Sequence, residues 1–162
     1  MVTTVREAKR MTTGDDDDLW LYYTDIYQHY QFRYPATFTV MQEGENVHLR
    51  FDHAGQANLD STACFDCRFV IYKPQVFHDL IDLEEYLKFQ DRQKGLPPPA
   101  SRSPIPDLQP RYRGMREIVE QVDGMIYSIL HVSFKTRIMP IHAVVSSGTD
   151  LDIQLARTVR FF

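Results

Sequence analysis

The dipeptide Asp123-Gly124 constrains the fold of this chain more than any other short feature, because it separates two segments of strand-like composition. Asp-Gly readily adopts the left-handed backbone of a two-residue hairpin turn, whose twist matches that of paired strands. Residues 118–122 precede this turn, and the apolar run 125–134 follows it. The pattern predicts an antiparallel hairpin in which 125–134 is a central strand.

A second tight turn extends this hairpin to three strands. Lys135-Thr136 separates the run 125–134 from a further apolar segment over 138–145. Proline cannot donate a hydrogen bond to a strand ladder. Pro140 therefore predicts either an edge position or a bulge in the third strand.

Earlier strands are predicted from aromatic density and from alternation. Residues 19–40 are rich in aromatic side chains, which favours a strand, a turn and a second strand, with Pro35 at a strand end or edge. Residues 47–51 alternate between apolar and polar side chains, the period of a half-buried strand. A further strand is predicted to end at Pro74.

Two helices complete the predicted elements. Asp82 and Glu85 form a variant of the capping box, ahead of apolar residues that recur at spacings of three and four. Thr149 or Asp150 is placed to cap a second, short helix near the end of the sequence. Together with the hairpins, these elements predict an α+β fold in which an antiparallel sheet is flanked by helices.

Two segments differ in composition from the rest of the chain. Residues 1–18 are polar and end in the aspartate run Asp15–Asp18, which predicts a disordered acidic arm because adjacent carboxylates repel one another. Residues 96–111 hold most of the prolines and predict an extended or irregular surface loop. We interpret this loop as an excursion within a single domain over 19–162.

Charge and motif content argue against several classes of protein. The formal net charge is −4 and no basic stripe is evident, so we expect no nucleic-acid partner. No run of eighteen apolar residues occurs, so we expect a soluble domain without a transmembrane segment. The first residues lack the apolar core of a signal peptide, which as written indicates a cytoplasmic protein or a removed leader. No Walker loop, GxGxxG or HExxH motif is present, and we expect no enzymatic activity and no catalytic residue.

Several short strings, taken in order, resemble the PsbP-like family. The resemblance lies in Tyr30–Pro35 with Phe38, in Leu83–Leu87, in Asp123–Tyr127 and in Arg157–Phe161. The family includes the PsbP protein of photosystem II, bacterial lipoproteins and a Ran-binding nuclear import factor. The resemblance implies an α/β/α sandwich around an antiparallel sheet and a protein that binds a partner without a shared enzymatic activity. It also implies a family that is often exported or lumenal, in which some plant members have been linked to metal ions.

Cys64 and Cys67 form a CxxC string inside a predicted strand. Residues three apart on a strand point to opposite faces, so we expect the two thiols to diverge. They would then neither share a metal ion nor readily form a disulfide. Cys67 lies on the apolar face and is expected to act as a small core side chain.

His131 and His142 are the candidate metal ligands. With Lys135-Thr136 as a two-residue turn, His131 pairs with Pro140, and His142 lies diagonal to His131 on the same sheet face. Two imidazoles so placed suit a divalent metal ion, a small ligand or a pH-sensitive contact, although the sequence offers no third ligand. The alternative is a pair of partly buried sheet histidines without a ligand.

The candidate partner-binding residues come from the aromatic cluster and from the basic end of the proline-rich loop: Trp20, Tyr23, Tyr27, Arg111 and Arg113. Exposed aromatic and arginine side chains are enriched at protein interfaces. Core packing is the alternative for the aromatic residues. We expect a non-catalytic protein-binding or assembly module with an unidentified protein partner and no obligatory cofactor. The alternative function is a metal- or small-ligand-binding domain that uses His131 and His142.

Overall fold

The computed structural model describes residues 19–51 and 67–162, and it gives the backbone alone for residues 4–10. In chain order the elements are β1 (Thr4–Arg10), β2 (Leu19–Asp25), β3 (Tyr30–Pro35), β4 (Phe38–Glu43), β5 (Asn46–Phe51), β6 (Arg68–Ile71), β7 (Gln75–Val76), α1 (Leu83–Gln93), β8 (Arg102–Pro104), β9 (Tyr112–Val122), β10 (Met125–Phe134), β11 (Arg137–Ser146), α2 (Leu151–Arg157) and β12 (Arg160–Phe161).

These strands form two antiparallel sheets. The smaller sheet has the order β1-β2-β3-β12, and the larger has the order β4-β5-β6-β11-β10-β9-β8, with β7 also paired to β11. Every described pairing is antiparallel. The prediction of an α+β fold built on antiparallel sheet with two helices is confirmed.

Both predicted tight turns join the long strands β9, β10 and β11. Asp123 and Gly124 have φ values of 52° and 76°, and Lys135 has a φ of 56°. These left-handed residues are what two-residue hairpin turns require. Phe134 pairs with Arg137 across the second turn, so the register predicted from the sequence is confirmed.

Pro140 does not lie at a sheet edge, and no register shift interrupts the pairing of β10 with β11. Both alternatives predicted for it are therefore wrong. β11 pairs with β7 over residues 137–138 and with β6 over residues 141–144, which leaves Pro140 between the two partners. The Pro140 carbonyl still accepts from the Tyr72 N–H at 3.0 Å. A proline is tolerated here because no strand donor is needed where one partner strand replaces another.

The main core lies between the two sheets and α2. Alternate side chains of β3 (Tyr30, Phe32 and Tyr34) are fully buried and belong to one cluster with Leu130 of β10 and Leu155 of α2. The opposite face of the large sheet carries a smaller cluster, in which Leu83 and Leu87 of α1 pack with Ile138.

Buried polar contacts join α2 to the large sheet. The Asp152 carboxylate is fully buried and accepts at 2.7 Å both from Arg116 Nε on β9 and from the Ser128 hydroxyl on β10. Burying a carboxylate is costly unless it is paired and hydrogen-bonded, and both conditions hold.

The helix starts follow the predicted caps. Asp82 Oδ1 accepts from the Glu85 N–H at 3.1 Å, and Thr149 Oγ1 accepts from the Leu151 N–H at 3.2 Å. Neither helix of the described residues is long and apolar enough to cross a membrane.

Two expectations about the first half of the chain differ from the structure. Residues 4–10, expected within a disordered arm, form β1 along the edge of β2, while the Asp15–Asp18 run lies outside the described residues. Cys67 is buried as expected, but it is disulfide-bonded, and Cys64 lies outside the described residues. The argument from opposite strand faces does not apply to Cys67, because β6 begins only at Arg68.

Candidate functional site

His131 and His142 lie on the same face of the large sheet. His131 pairs with Pro140, and His142 pairs with Ile129, two residues before His131 on β10. Because residues two apart on a strand share a face, the two imidazoles are diagonal neighbours. The predicted arrangement of these side chains is confirmed, while the binding role assigned to them stays a prediction.

His142 is held by two tyrosines. The Tyr127 hydroxyl lies 3.0 Å from His142 Nδ1, and the Tyr72 ring packs edge-on with its centroid 4.7 Å from that of the imidazole. Tyr127 lies on the same strand face as Ile129 and His131. Partial burial lowers the pKa of His142, because desolvation disfavours the charged imidazolium.

His131 is the more deeply placed of the two. Burial is the main cause that lowers its pKa from 6.5 to about 4, and the positive charges of Arg102, of His142 when it is protonated, and of Lys94 act in the same direction. His131 is therefore an uncharged imidazole at neutral pH. In that form one ring nitrogen donates a hydrogen bond and the other accepts one.

Arg102 closes one side of the site. Its guanidinium donates to Asp91 Oδ2 at 2.7 Å, to Asp91 Oδ1 at 3.1 Å and to Glu117 Oε1 at 3.0 Å. These contacts join β8, α1 and β9, and the Arg102 and Asp91 side chains are only 13% and 12% exposed. The hydrogen bonds from Arg102 hold the pKa of Asp91 below its usual range.

The two histidines line a cleft of about 480 Å³ between the sheet, α1 and the proline-rich loop. Prolines 97 and 99 form part of its wall. A shallower groove adjoins this cleft, and Gln75, Pro140 and His142 line both the groove and the cleft. The lining of the cleft holds two cations, Lys94 and Arg102, and two carboxylates, so its formal charge is zero when both histidines are neutral.

The described residues do not offer a complete metal site. They contain no group of three or more His, Cys, Asp and Glu side chains that could hold an ion. The contact with Tyr127 also limits His142. If the hydroxyl donates to Nδ1, the proton of the neutral ring is on Nε2, and that nitrogen cannot bind a cation. His131 and His142 together supply at most two ligands.

The five predicted partner-binding residues do not form one surface. Tyr23 is only 2% exposed and packs on Phe32 with ring centroids 5.2 Å apart, so its prediction as an exposed contact is wrong. It points inward because alternate residues of β2 face the core. Trp20 is half-buried at the opposite end of β2 from Tyr27, which is exposed in the following turn.

Arg111 and Arg113 are exposed, as expected, where the loop enters β9. The same loop is less irregular than predicted, because Arg102–Pro104 pairs with β9 and Ile105 is buried.

The structure adds residues that the sequence did not connect with the two histidines. Gln75, Asp91, Arg102 and Glu117 line the cleft, Tyr72 lines the adjoining groove, and Tyr127 contacts His142. Tyr127 was within reach of the sequence argument, because the same turn register places it on the face of His131. The position of Arg102 in the site was not predictable from the sequence, because its partners come from α1 and β9, and no local pattern connects these elements.

Comparison with protein-family models, with curated proteins and with solved structures gives no match for this chain.

Proposed function

We propose that this chain is a non-catalytic binding domain whose cleft, centred on His131 and His142, takes up an uncharged polar small molecule. The observation that carries the proposal is a cleft of about 480 Å³ onto which two neutral imidazoles converge with the amides of Gln75 and Gln90 and the Tyr86 hydroxyl. Small-molecule sites have volumes of roughly 300–1,000 Å³ and a few convergent polar groups.

The balance of charge supports an uncharged ligand. Arg102 already has two carboxylate partners, so it has little unmatched charge to offer an anion. An added cation would meet the positive charges of Lys94 and Arg102 at the same wall.

Ligand-detected NMR with a library of neutral and charged polar fragments tests this proposal. We expect neutral fragments to bind the wild-type protein and to lose binding in His131→Phe, whose larger ring occupies the cleft. The matched control is His29→Asn, which replaces a histidine remote from the cleft and keeps a residue type that tolerates its φ of 58°. Binding that is equal in both variants would contradict the proposal.

We also propose the PsbP-like α/β/α arrangement as the architecture. It is supported by the alternation along β11, where Ile138 belongs to the α1 cluster while the next residue, Met139, belongs to the main core that includes α2. An experimental structure of the full chain is the test, and two helices on one face of the large sheet would refute the arrangement.

A protein-binding module is the second candidate function. The exposed positions of Tyr27, Arg111 and Arg113 favour it. The test is a quantitative pull-down that compares the wild-type protein with Arg111→Ser/Arg113→Ser. The control is Arg50→Ser/Arg68→Ser, an exposed arginine pair on β5 and β6. A partner lost only with the first variant supports this candidate, and equal recovery with both contradicts it.

A further inference from the structure

Arg33 and Arg160 lie together on the outer face of the small sheet. Arg160 of β12 pairs with Gln31, and Arg33 follows two residues later on β3, on the same face as Gln31. The Arg33 guanidinium lies 4.6 Å from the centre of the Tyr22 ring, and the Arg160 guanidinium lies 5.5 Å from that of Tyr112. Each arginine is therefore held against an aromatic ring.

Aromatic rings and backbone carbonyl groups of the described residues hold these arginines in place. Arg160 Nη1 donates to the carbonyl oxygens of Arg157, at 2.8 Å, and of Val159. Among the side chains that the structure describes, no carboxylate lies within ion-pair distance of Arg33 or Arg160. A guanidinium has five N–H donors, so Arg160 keeps donors for a further acceptor.

The electrostatics of Arg160 agree with this geometry. Its pKa is lowered, first by burial and also by the positive charge of Arg33. Two guanidiniums with the same charge repel each other, and partial burial reduces the screening by water. A bound anion would offset this repulsion, and the aromatic contacts already fix the positions of the donors.

We propose that Arg33 and Arg160 form the centre of a surface that binds a carboxylate-rich segment of a partner protein. The proposal rests on the protein-binding candidate above and gives it a partner chemistry, and it does not depend on the cleft. Arginine pairs with carboxylates through two parallel hydrogen bonds, which gives both affinity and orientation. Phe162, 54% exposed and next to β12, adds an apolar contact at the border.

Two observations favour an acidic protein segment over a nucleic acid. Nucleic-acid binding without sequence preference commonly uses aromatic faces on which bases stack. Here guanidiniums lie over the rings of Tyr22 and Tyr112, so these two faces are not open for a base. The formal net charge of −4 also repels a long phosphate backbone, whereas a short acidic segment meets mainly the local positive charge.

The test uses the full chain and a fluorescein-labelled octaglutamate peptide, with fluorescence anisotropy at low and high salt. We expect saturable binding that weakens with salt, since screening reduces the attraction between charges. Arg33→Gln/Arg160→Gln should bind about tenfold more weakly, a change that corresponds to about 1.4 kcal/mol. The control, Arg50→Gln/Arg68→Gln, removes the same charge from an arginine pair on the large sheet and should bind like the wild type.

Each outcome decides the proposal. No saturable binding by the wild-type protein, or an equal loss in both double variants, overturns it. An oligothymidylate of eight nucleotides that binds more tightly than the peptide also overturns it and indicates a phosphate-bearing partner. NMR of the wild-type protein provides a second measurement, which does not depend on the folding of a variant. In a titration with the peptide, the side-chain Nε–Hε signals of Arg33 and Arg160 must shift at lower peptide concentrations than those of Arg50 and Arg68. Equal recovery of the pull-down partner with the Arg111/Arg113 variant and its control contradicts the protein-binding candidate at those two arginines alone, so the two ideas can fail separately.

Discussion

The Tyr127 hydroxyl lies 3.0 Å from Nδ1 of His142, across two neighbouring strands of the large sheet. This contact sets which nitrogen of the imidazole carries the proton and therefore what His142 offers to a ligand. A buried or partly buried polar pair of this kind contributes about 1 kcal/mol to folding when it is intact.

Removing the Tyr127 hydroxyl should raise the pKa of His142. The imidazole nitrogen is the better acceptor, so we expect the phenol to donate, which stabilises the neutral ring. In Tyr127→Phe the neutral form loses that bond, and the pKa should move up toward its ordinary value. An NMR titration of the His142 ring protons measures the change, and Tyr72→Phe is the control because the ring contact with His142 remains. A pKa that falls would assign the proton to Nδ1 instead.

His131 should make the protein less stable in mild acid. Its folded-state pKa of about 4 lies below the ordinary 6.5, so the unfolded chain binds this proton first as the pH falls. Stability should therefore decrease between pH 6.5 and pH 4, with a slope of up to about 1.4 kcal/mol per pH unit. Urea unfolding at a series of pH values should show a smaller slope for His131→Gln. The same slope in both proteins would mean that other groups control the acid response.

Arg102→Met should destabilise the fold by about 2–3 kcal/mol, because Asp91 is left mostly buried without its cation. Adding Asp91→Leu to the same protein should recover most of this loss, since the uncompensated carboxylate is then gone. Chemical denaturation of the wild type, the single variant and the double variant measures both steps. If the second substitution adds a further loss, the contribution of Arg102 lies in packing and not in charge.

Gly114→Ala should destabilise the attachment of the proline-rich loop to β9. An added Cβ would lie 2.8 Å from Ile105 Cδ1 and 2.9 Å from Leu108 Cδ1, closer than carbon atoms approach in folded proteins. Overpacking of this kind costs about 1–3 kcal/mol. The double variant Gly114→Ala/Ile105→Val, which lacks the nearer Cδ1, should recover part of the melting temperature. If Gly114→Ala is as stable as the wild type, the loop side chains move to accommodate the added Cβ at no cost in stability.

Metal addition separates the two ligand hypotheses for the cleft. With only two imidazoles from the described residues, we expect Co²⁺ at stoichiometric concentration to give no tetrahedral absorption bands. Isothermal titration with Zn²⁺ should likewise give no site that disappears in His131→Ala/His142→Ala. A one-to-one site that is lost in this variant and kept in His29→Asn would support the metal-binding alternative over the neutral ligand.

The sequence predicted the local part of the fold well. Asp123-Gly124 sets the register of β9 against β10 only as far as Tyr127, after which that register shifts by one residue. Lys135-Thr136 sets the unbroken register of β10 against β11, and this register placed His131 and His142 on one face. Turn chemistry and strand alternation act over a few residues, so they can be read from a single chain.

Contacts between elements that are distant in sequence could not be predicted from such local patterns. The Arg102 network depends on how α1 meets β8 and β9, and the burial of Tyr23 depends on the packing of one sheet on the other. Pro140 is tolerated because β11 pairs with β7 before it and with β6 after it. The residues around Pro140 contain no pattern that predicts this change of partner strand.

The pairing of β12 with β3 joins two parts of the chain that are far apart in sequence. The Arg33 N–H donates to Thr158 Oγ1 across 125 positions, and Phe161 pairs with Tyr30. During synthesis on the ribosome, one edge of β3 therefore stays unpaired while about 125 further residues are added. The β9–β11 hairpins need no such delay, and contacts distant in sequence form more slowly than local ones. Until residues 160–161 emerge, the unpaired edge of β3 beside Tyr30 is open to pairing with another chain, the kind of exposed strand edge that chaperones protect.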